Sequence, residues 1–167
     1  MADADDLWDW AVAAYGAPGV AAACLDLQDR FGASVTLLLW AAHAATEGRI
    51  VSRETARMAR KAVAPLAAHT RAFRAARRAL AAETQGSPKG HVDNARRGVE
   101  AAERAYEKLE LARLALHPAP AGAARLRDNL LAMGAAEGLD LGQPDAAAAM
   151  DALAQALAAF TRASPRA

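Results

Sequence analysis

Alanine is the residue that most constrains how this chain can fold. It occupies 50 of the 167 positions, whereas the larger apolar residues together number 40. Alanine is the strongest helix former, but its methyl side chain buries little surface. The composition therefore predicts closely packed helices around a modest core, and the length favours a single domain.

Capping residues and glycines divide the chain into seven predicted helices. Ser34 and Ser52 are suited to cap helices, and Gly16, Gly32 and Gly48 are suited to end them in the left-handed conformation. The predicted helices cover about residues 6–15, 18–31, 35–47, 53–84, 92–116, 123–137 and 145–162. Proline inside the fourth of these, at position 65, predicts a kink or a break near residues 63–65.

The pattern predicts an all-α fold, with a compact N-terminal three-helix unit, a long antiparallel helical hairpin and a C-terminal helical tail. The third helix is apolar on nearly every side, which indicates a central and buried position. We expect a shared core of Trp8 or Trp10 with Leu25, Leu37, Leu38 and Trp40. The mixed charges of the fifth helix suit antiparallel pairing with the fourth across a loop at residues 85–90, or a homodimer contact through the long helices.

Charge is distributed unevenly along the chain. Residues 1–48 carry a net charge of −6, residues 49–78 carry +8 and residues 79–167 carry −1. Many arginines of the middle segment recur three or four residues apart, which places neighbours on one helix face. The candidate binding residues for an anion or an acidic partner are Arg53, Arg57, Arg60, Arg71, Arg74, Arg77 and Arg78. Alternatively, the face is only solvated, or it is neutralised by the acidic N-terminal helices.

Aromatic residues supply a second group of candidates. Trp8 and Trp10 lie about 200° apart on a helix, so one can enter the core while the other meets another element or serves as an exposed anchor for a partner. Trp40, His43 and Glu47 share one face of the third helix. The histidine and glutamate could form a proton-transfer pair, whereas the alternative is a hydrogen-bonded core histidine.

The sequence contains none of the familiar motifs for metal, nucleotide or acyl chemistry. Its four histidines are scattered, and it has no His-x-x-x-His pair, Glu-x-x-His pair, glycine-rich phosphate loop or serine elbow. Cys24 lies on an alanine-rich helix face, which predicts an inert buried thiol. We therefore predict no catalytic residue, no cofactor and no metal ligand.

Residues 8–40 carry a long and specific pattern. It consists of Trp8 and Trp10, then Tyr-x-x-Pro-Gly-Val at residues 15–20, Cys-Leu-x-Leu-Gln-Asp-Arg at 24–30 and Val-x-Leu-Leu-Leu-Trp at 35–40. The chain resembles a bacterial family catalogued as a domain of unknown function (number 2390), and residues 71–80 and 105–111 are similar to later parts of it. The resemblance implies a family-like helical domain at residues 1–120. Residues 121–167 are then expected to be a variable helical extension, packed on that domain or tethered to it.

The favoured interpretation is a non-enzymatic binding or adaptor protein that presents its basic helix face to an acidic protein surface. One alternative is a small-molecule or lipid-binding helical bundle with a possible enzymatic role, whose pocket would be lined by Trp40 and His43 beside an arginine. Another is a nucleic-acid-associated factor, which is disfavoured because only Phe73 interleaves with the bases. An acidic N-terminus and a longest apolar run of 13 residues predict a cytoplasmic protein without membrane insertion.

Overall fold

The described residues form seven helices, and the predicted all-α fold is confirmed. A computed structural model describes residues 4–83, 88–123 and 125–163, and contains no strand among them. The helices are α1 (Ala4–Tyr15), α2 (Val20–Phe31), α3 (Val35–Thr46), α4 (Arg53–Ala82), α5 (Lys89–Ala115), α6 (Leu126–Glu137) and α7 (Pro144–Ala163).

Local capping explains several of the helix ends. Ser34 caps α3, because its side chain accepts a hydrogen bond from the backbone N–H of Leu37 at 3.5 Å. Left-handed glycines follow α2 at Gly32 (φ 73°) and α3 at Gly48 (φ 65°), as predicted. The same prediction for Gly16 is wrong. Its N–H continues the helical pattern by donating to Val12, and the left-handed glycine of this turn is Gly19 (φ 82°), directly before α2.

Of the kink or break predicted near Pro65, the break does not occur, because α4 is helical from Arg53 to Ala82. Proline has no N–H to donate to the carbonyl four residues earlier, so one backbone bond is lost inside this helix. The guanidinium of Arg113 donates to the neighbouring carbonyl of Ala62 at 3.4 Å. This side-chain bond supports the helix backbone close to the position that the proline weakens.

The helices form two compact units. The first unit comprises residues 1–62 and 111–167, and the second is Val63–Glu110. The helices α4 and α5 contribute to both units. The predicted extension, with α6 and α7, belongs to the same unit as the first three helices.

The core of the first unit is built around α3. This helix contacts α1, α2 and α6, while α2 also contacts α7. Leu37, Leu38 and Trp40 are buried, as expected. The expectation for Leu25 is wrong: it is 43% exposed, because α2 turns the side that carries Cys24 and Leu27 inward.

The C-terminal helices are joined to this core by polar contacts as well as by apolar packing. Asn129 of α6 is 1% exposed, and its Oδ1 accepts a hydrogen bond from the N–H of Val51 at 2.9 Å. Its Nδ2 donates to the carbonyls of Ala41 (3.2 Å) and Arg49 (2.9 Å). One asparagine thus connects α6, α3 and the loop between α3 and α4.

The second unit is an antiparallel helical hairpin, which confirms the predicted pairing of the fourth and fifth helices. Thr70 donates a hydrogen bond to Glu110 across the pair, and the rings of Phe73 and Tyr106 lie 5.3 Å apart. The predicted loop at residues 85–90 lies partly outside the described residues, at 85–87. Residues 89 and 90 belong to α5, so the loop is shorter at this end than expected.

Candidate functional site

The first turns of α4 carry four cations on one side of the helix, and we name Arg53, Arg57, Arg60 and Lys61 the basic face. They follow the spacing i, i+4, i+7 and i+8, which lines residues up along a helix. Ser52 precedes the helix, and its Oγ accepts a hydrogen bond from the backbone N–H at position 55, at 3.1 Å. The opposite side of these turns is apolar and buried, so the fold directs the four cations outward.

All four cations of the basic face are exposed, and within the described part of the chain none of them forms an ion pair or hydrogen bond. The only acidic residue in the sequence between positions 49 and 82 is Glu54. Exposed like charges on adjacent turns repel one another and raise the local positive potential. An anion that approaches this surface therefore gains electrostatic free energy without displacing a carboxylate of the protein.

The predicted binding residues Arg74 and Arg77 lie in the hairpin and are already paired. Arg74 Nε donates to Glu103 at 3.0 Å, and its Nη2 donates to Glu107 at 3.4 Å. Arg77 Nε donates to the other oxygen of Glu103 at 2.8 Å. The hydrogen bond to Glu103 also raises the pKa of Arg77. These two guanidinium groups therefore hold α4 against α5 and are not available to a partner.

The two remaining predicted arginines differ from this pair. Arg71 is exposed and has no ionic or hydrogen-bonding partner among the described residues. Arg78 is also exposed, but it takes part in an interaction within the protein. Four of the seven predicted arginines are exposed and have no partner among the residues that the structure describes: Arg53, Arg57, Arg60 and Arg71. The other three have interactions within the protein: Arg74, Arg77 and Arg78.

Three glutamates of α5 were not predicted as part of this arrangement. Glu103 and Glu110 are 7% and 1% exposed, and Glu107 is partly buried beside them. Burial raises the pKa of Glu107, and the neighbouring charge of Glu103 adds to the effect. Their spacing of four and three residues on a helix predicted to pair with α4 was the available signal. The hydrogen bonds from Arg74 and Arg77 to these glutamates show that acidic residues of α5 neutralise part of the basic segment.

His43 lies in the core of the first unit, close to a small hollow. The hollow has a volume of about 30 Å³, and its lining includes Trp40, His43, Glu47 and Arg49. The imidazole Nε2 is 3.9 Å from Glu47 Oε1, which is longer than a hydrogen bond. Arg49, which the sequence did not single out, donates through Nη1 to the carbonyl of Ala119 at 2.9 Å. The hollow has room for about one water molecule, far less than a small-molecule site of about 300 Å³ or more requires.

The paired tryptophans of α1 are both partly buried. Trp10 contacts His43 edge to face, with ring centroids 5.1 Å apart, and it contacts Phe160 of α7 at 5.7 Å. Trp8 is also half-buried and takes part in an interaction within the protein. Trp10 thus connects α1 to α3 and α7, and this internal role accounts for its presence without a partner.

The Cys24 side chain is fully buried, and burial raises the pKa of its thiol to about 12. No group of three or more His, Cys, Asp or Glu side chains within residues 4–83, 88–123 and 125–163 is arranged to hold a metal ion. In the same ranges no single helix is long and apolar enough to cross a membrane; only α1 and α2 taken together, bent by 95°, have the necessary length and composition.

Comparison with known proteins identifies the family of the chain and no activity. No curated protein and no solved structure matches it. One family model does match, and it covers residues 6–114, from the first helix almost to the end of α5. The helices α6 and α7 lie beyond the matched residues. The chain belongs to the family described as "Protein of unknown function (DUF2390)".

Proposed function

We propose that this chain is a non-enzymatic binding protein that uses the basic face of α4 to hold an acidic surface of another protein. The observation that supports the proposal is the contrast within one helix. Arg74 and Arg77 are matched by glutamates, whereas the four cations of the basic face have no partner within the described residues. Because ion pairs elsewhere in the protein are formed readily, an unmatched group of four cations is best explained by an external anionic partner.

Such a surface affects the rate and the selectivity of association more than the affinity of the complex. Complementary charges speed diffusional encounter and disfavour partners of like charge. Three of the four cations are arginines, which can form two parallel hydrogen bonds with one carboxylate. A partner that places several carboxylates on one surface would therefore satisfy the basic face with good geometry.

An acidic protein is favoured over a nucleic acid or a small molecule. Recognition of single-stranded nucleic acid uses exposed aromatic residues beside the cations, and residues 53–61 contain no aromatic residue. The hollow at His43 is too small for a substrate. Neither alternative is therefore supported by a specific observation.

Binding of labelled polyglutamate, measured by fluorescence anisotropy at low and high salt, tests the proposal. The variant Arg57→Glu/Arg60→Glu reverses two charges of the basic face. A matched control, Arg104→Glu/Arg162→Glu, changes the net charge equally at two exposed arginines of α5 and α7. Duplex RNA of similar charge serves as the competing probe.

We expect the first variant to weaken polyglutamate binding by about tenfold or more and the control by about twofold or less. Equal weakening by both variants would show that binding follows net charge alone, and the proposal would fail. It would also fail if the protein bound RNA with higher affinity than polyglutamate and retained that preference at high salt.

A further inference from the structure

We infer that the partner of the basic face is an acidic amphipathic helix with an apolar side chain that docks on Met58. This inference rests on the proposed function and specifies the chemistry of the partner. Met58 is 65% exposed and lies at the edge of the basic face, directly after Arg57 and one turn before Lys61, with the exposed Glu54 one turn before it. The surface thus combines unmatched positive charge with one large exposed apolar group.

Methionine suits such a position because its flexible, polarizable side chain adapts to different apolar surfaces. A single exposed apolar residue on a protein surface is common and has no meaning by itself. Here it lies at the edge of the basic face, beside Arg57 and Lys61. Covering Met58 with an apolar residue of a partner would remove apolar area from water, while carboxylates around that residue would meet the cations.

The dimensions of the surface favour a helix as the occupant. The basic face extends over eight residue steps, or about 12 Å of helix. A facing helix presents side chains at intervals of three and four residues over the same distance. Glutamates on two adjacent turns can therefore meet the arginines while a leucine on the neighbouring side of the same helix reaches Met58.

An anionic membrane surface fits these observations less well. Helices that lie in a membrane interface insert a broad apolar face. On the first turns of α4 the apolar residues Ala56 and Ala59 are buried in the protein, with 0% and 2% exposure. Only Met58 remains outside, which is enough for one contact with a protein partner but offers little area for lipid.

Three labelled peptides of equal length test the inference by fluorescence anisotropy. The first is an acidic amphipathic helix with leucines on one side, the second is a scrambled peptide of the same composition, and the third is polyglutamate. They are titrated with the full-length protein, with Met58→Ser, and with Arg57→Gln/Arg60→Gln. Leu109→Ser is the matched control, because Leu109 is a comparably exposed apolar residue, at 52%, on another helix.

We expect the amphipathic peptide to bind about tenfold more tightly than the scrambled one. Met58→Ser should abolish this difference, Leu109→Ser should preserve it, and Arg57→Gln/Arg60→Gln should weaken all three peptides. If all three peptides bind equally and Met58→Ser changes nothing, the inference is wrong while the proposed function stands. If no peptide binds, both are wrong.

Two further measurements identify a different occupant. Vesicles containing phosphatidylserine are tested by co-sedimentation, and tighter binding to them than to the amphipathic peptide would overturn the inference in favour of lipid. Sedimentation velocity at low salt tests self-association. If the protein forms oligomers that Arg57→Gln/Arg60→Gln abolishes, the occupant is a second copy of the chain, and the inference is again overturned.

Discussion

Replacement of Asn129 by alanine should destabilise the protein far more than the loss of one small side chain suggests. Asn129 is 1% exposed and forms three hydrogen bonds, with the N–H of Val51 and the carbonyls of Ala41 and Arg49. Alanine removes all three. The amide of Val51 then remains in a buried environment without this acceptor.

The expected size of the effect follows from these contacts. A buried hydrogen bond contributes about 1 kcal/mol net, so three bonds amount to about 3 kcal/mol. For a chain of 167 residues, a loss of that size lowers Tm by about 6–12 °C. The effect should extend to α3 and the loop before α4, because the asparagine connects both to α6.

Urea and thermal unfolding, followed by circular dichroism, measure this loss. Asn94→Ala is the matched control, since Asn94 is exposed on α5 and accepts one long hydrogen bond from Arg97 at 3.4 Å. The control should change stability by less than about 0.5 kcal/mol. If Asn129→Ala changes the free energy of unfolding by no more than the control does, the assigned role of this residue is refuted.

Three other predictions concern buried groups. Burial raises the pKa of the Cys24 thiol to about 12. The thiol should therefore react with Ellman's reagent at least about 100-fold more slowly in the folded protein than in urea, and comparable rates would contradict its burial. Glu103→Gln removes the anion shared by Arg74 and Arg77 and should lower the free energy of unfolding by about 2–3 kcal/mol. The control Glu100→Gln breaks an exposed pair with Arg96 and should lower it by less than about 0.5 kcal/mol. Equal effects of the two variants in urea unfolding would argue against the buried pairing. Burial raises the pKa of Glu107, so this group stabilises the fold below its unfolded pKa, and the contribution is lost as pH rises through the folded value. Glu107→Gln should therefore gain stability relative to the unmodified protein as pH rises above about 4, where the carboxyl of the unfolded chain ionises, and a stability difference that does not change with pH would exclude the mechanism.

The helices were predictable because their signals are local. Ser34 caps α3 through a bond to a residue three positions away, and the glycines after α2 and α3 adopt the left-handed conformation that follows many helices. The proline at position 65 does not end the helix, because a long helix retains its other backbone hydrogen bonds when one is lost. The bond from Arg113 to the carbonyl of Ala62 is a tertiary contact close to this position, and it joins residues 51 positions apart.

Packing direction and charge pairing were less predictable. Leu25 faces solvent because α7 and α3 contact other sides of α2. In an alanine-rich helix the faces differ little in hydrophobicity, so the sequence does not indicate which face is covered. Arg74 and Arg77 were grouped with the other arginines by spacing alone. Their partners lie on α5, 26 to 33 residues further along the chain, so only the register of the hairpin determines which cations are neutralised.

Arginine modification by phenylglyoxal, followed by peptide mass spectrometry, measures directly whether the basic face is accessible. The rate at each arginine in the folded protein is compared with its rate in the unfolded chain. We predict that Arg57 and Arg60 react at nearly the unfolded rate, while Arg74, whose side chain is 14% exposed and bound to two glutamates, is strongly protected. Equal protection of Arg57, Arg60 and Arg74 would mean that the basic face is covered within the protein itself, and it would contradict the proposed binding role.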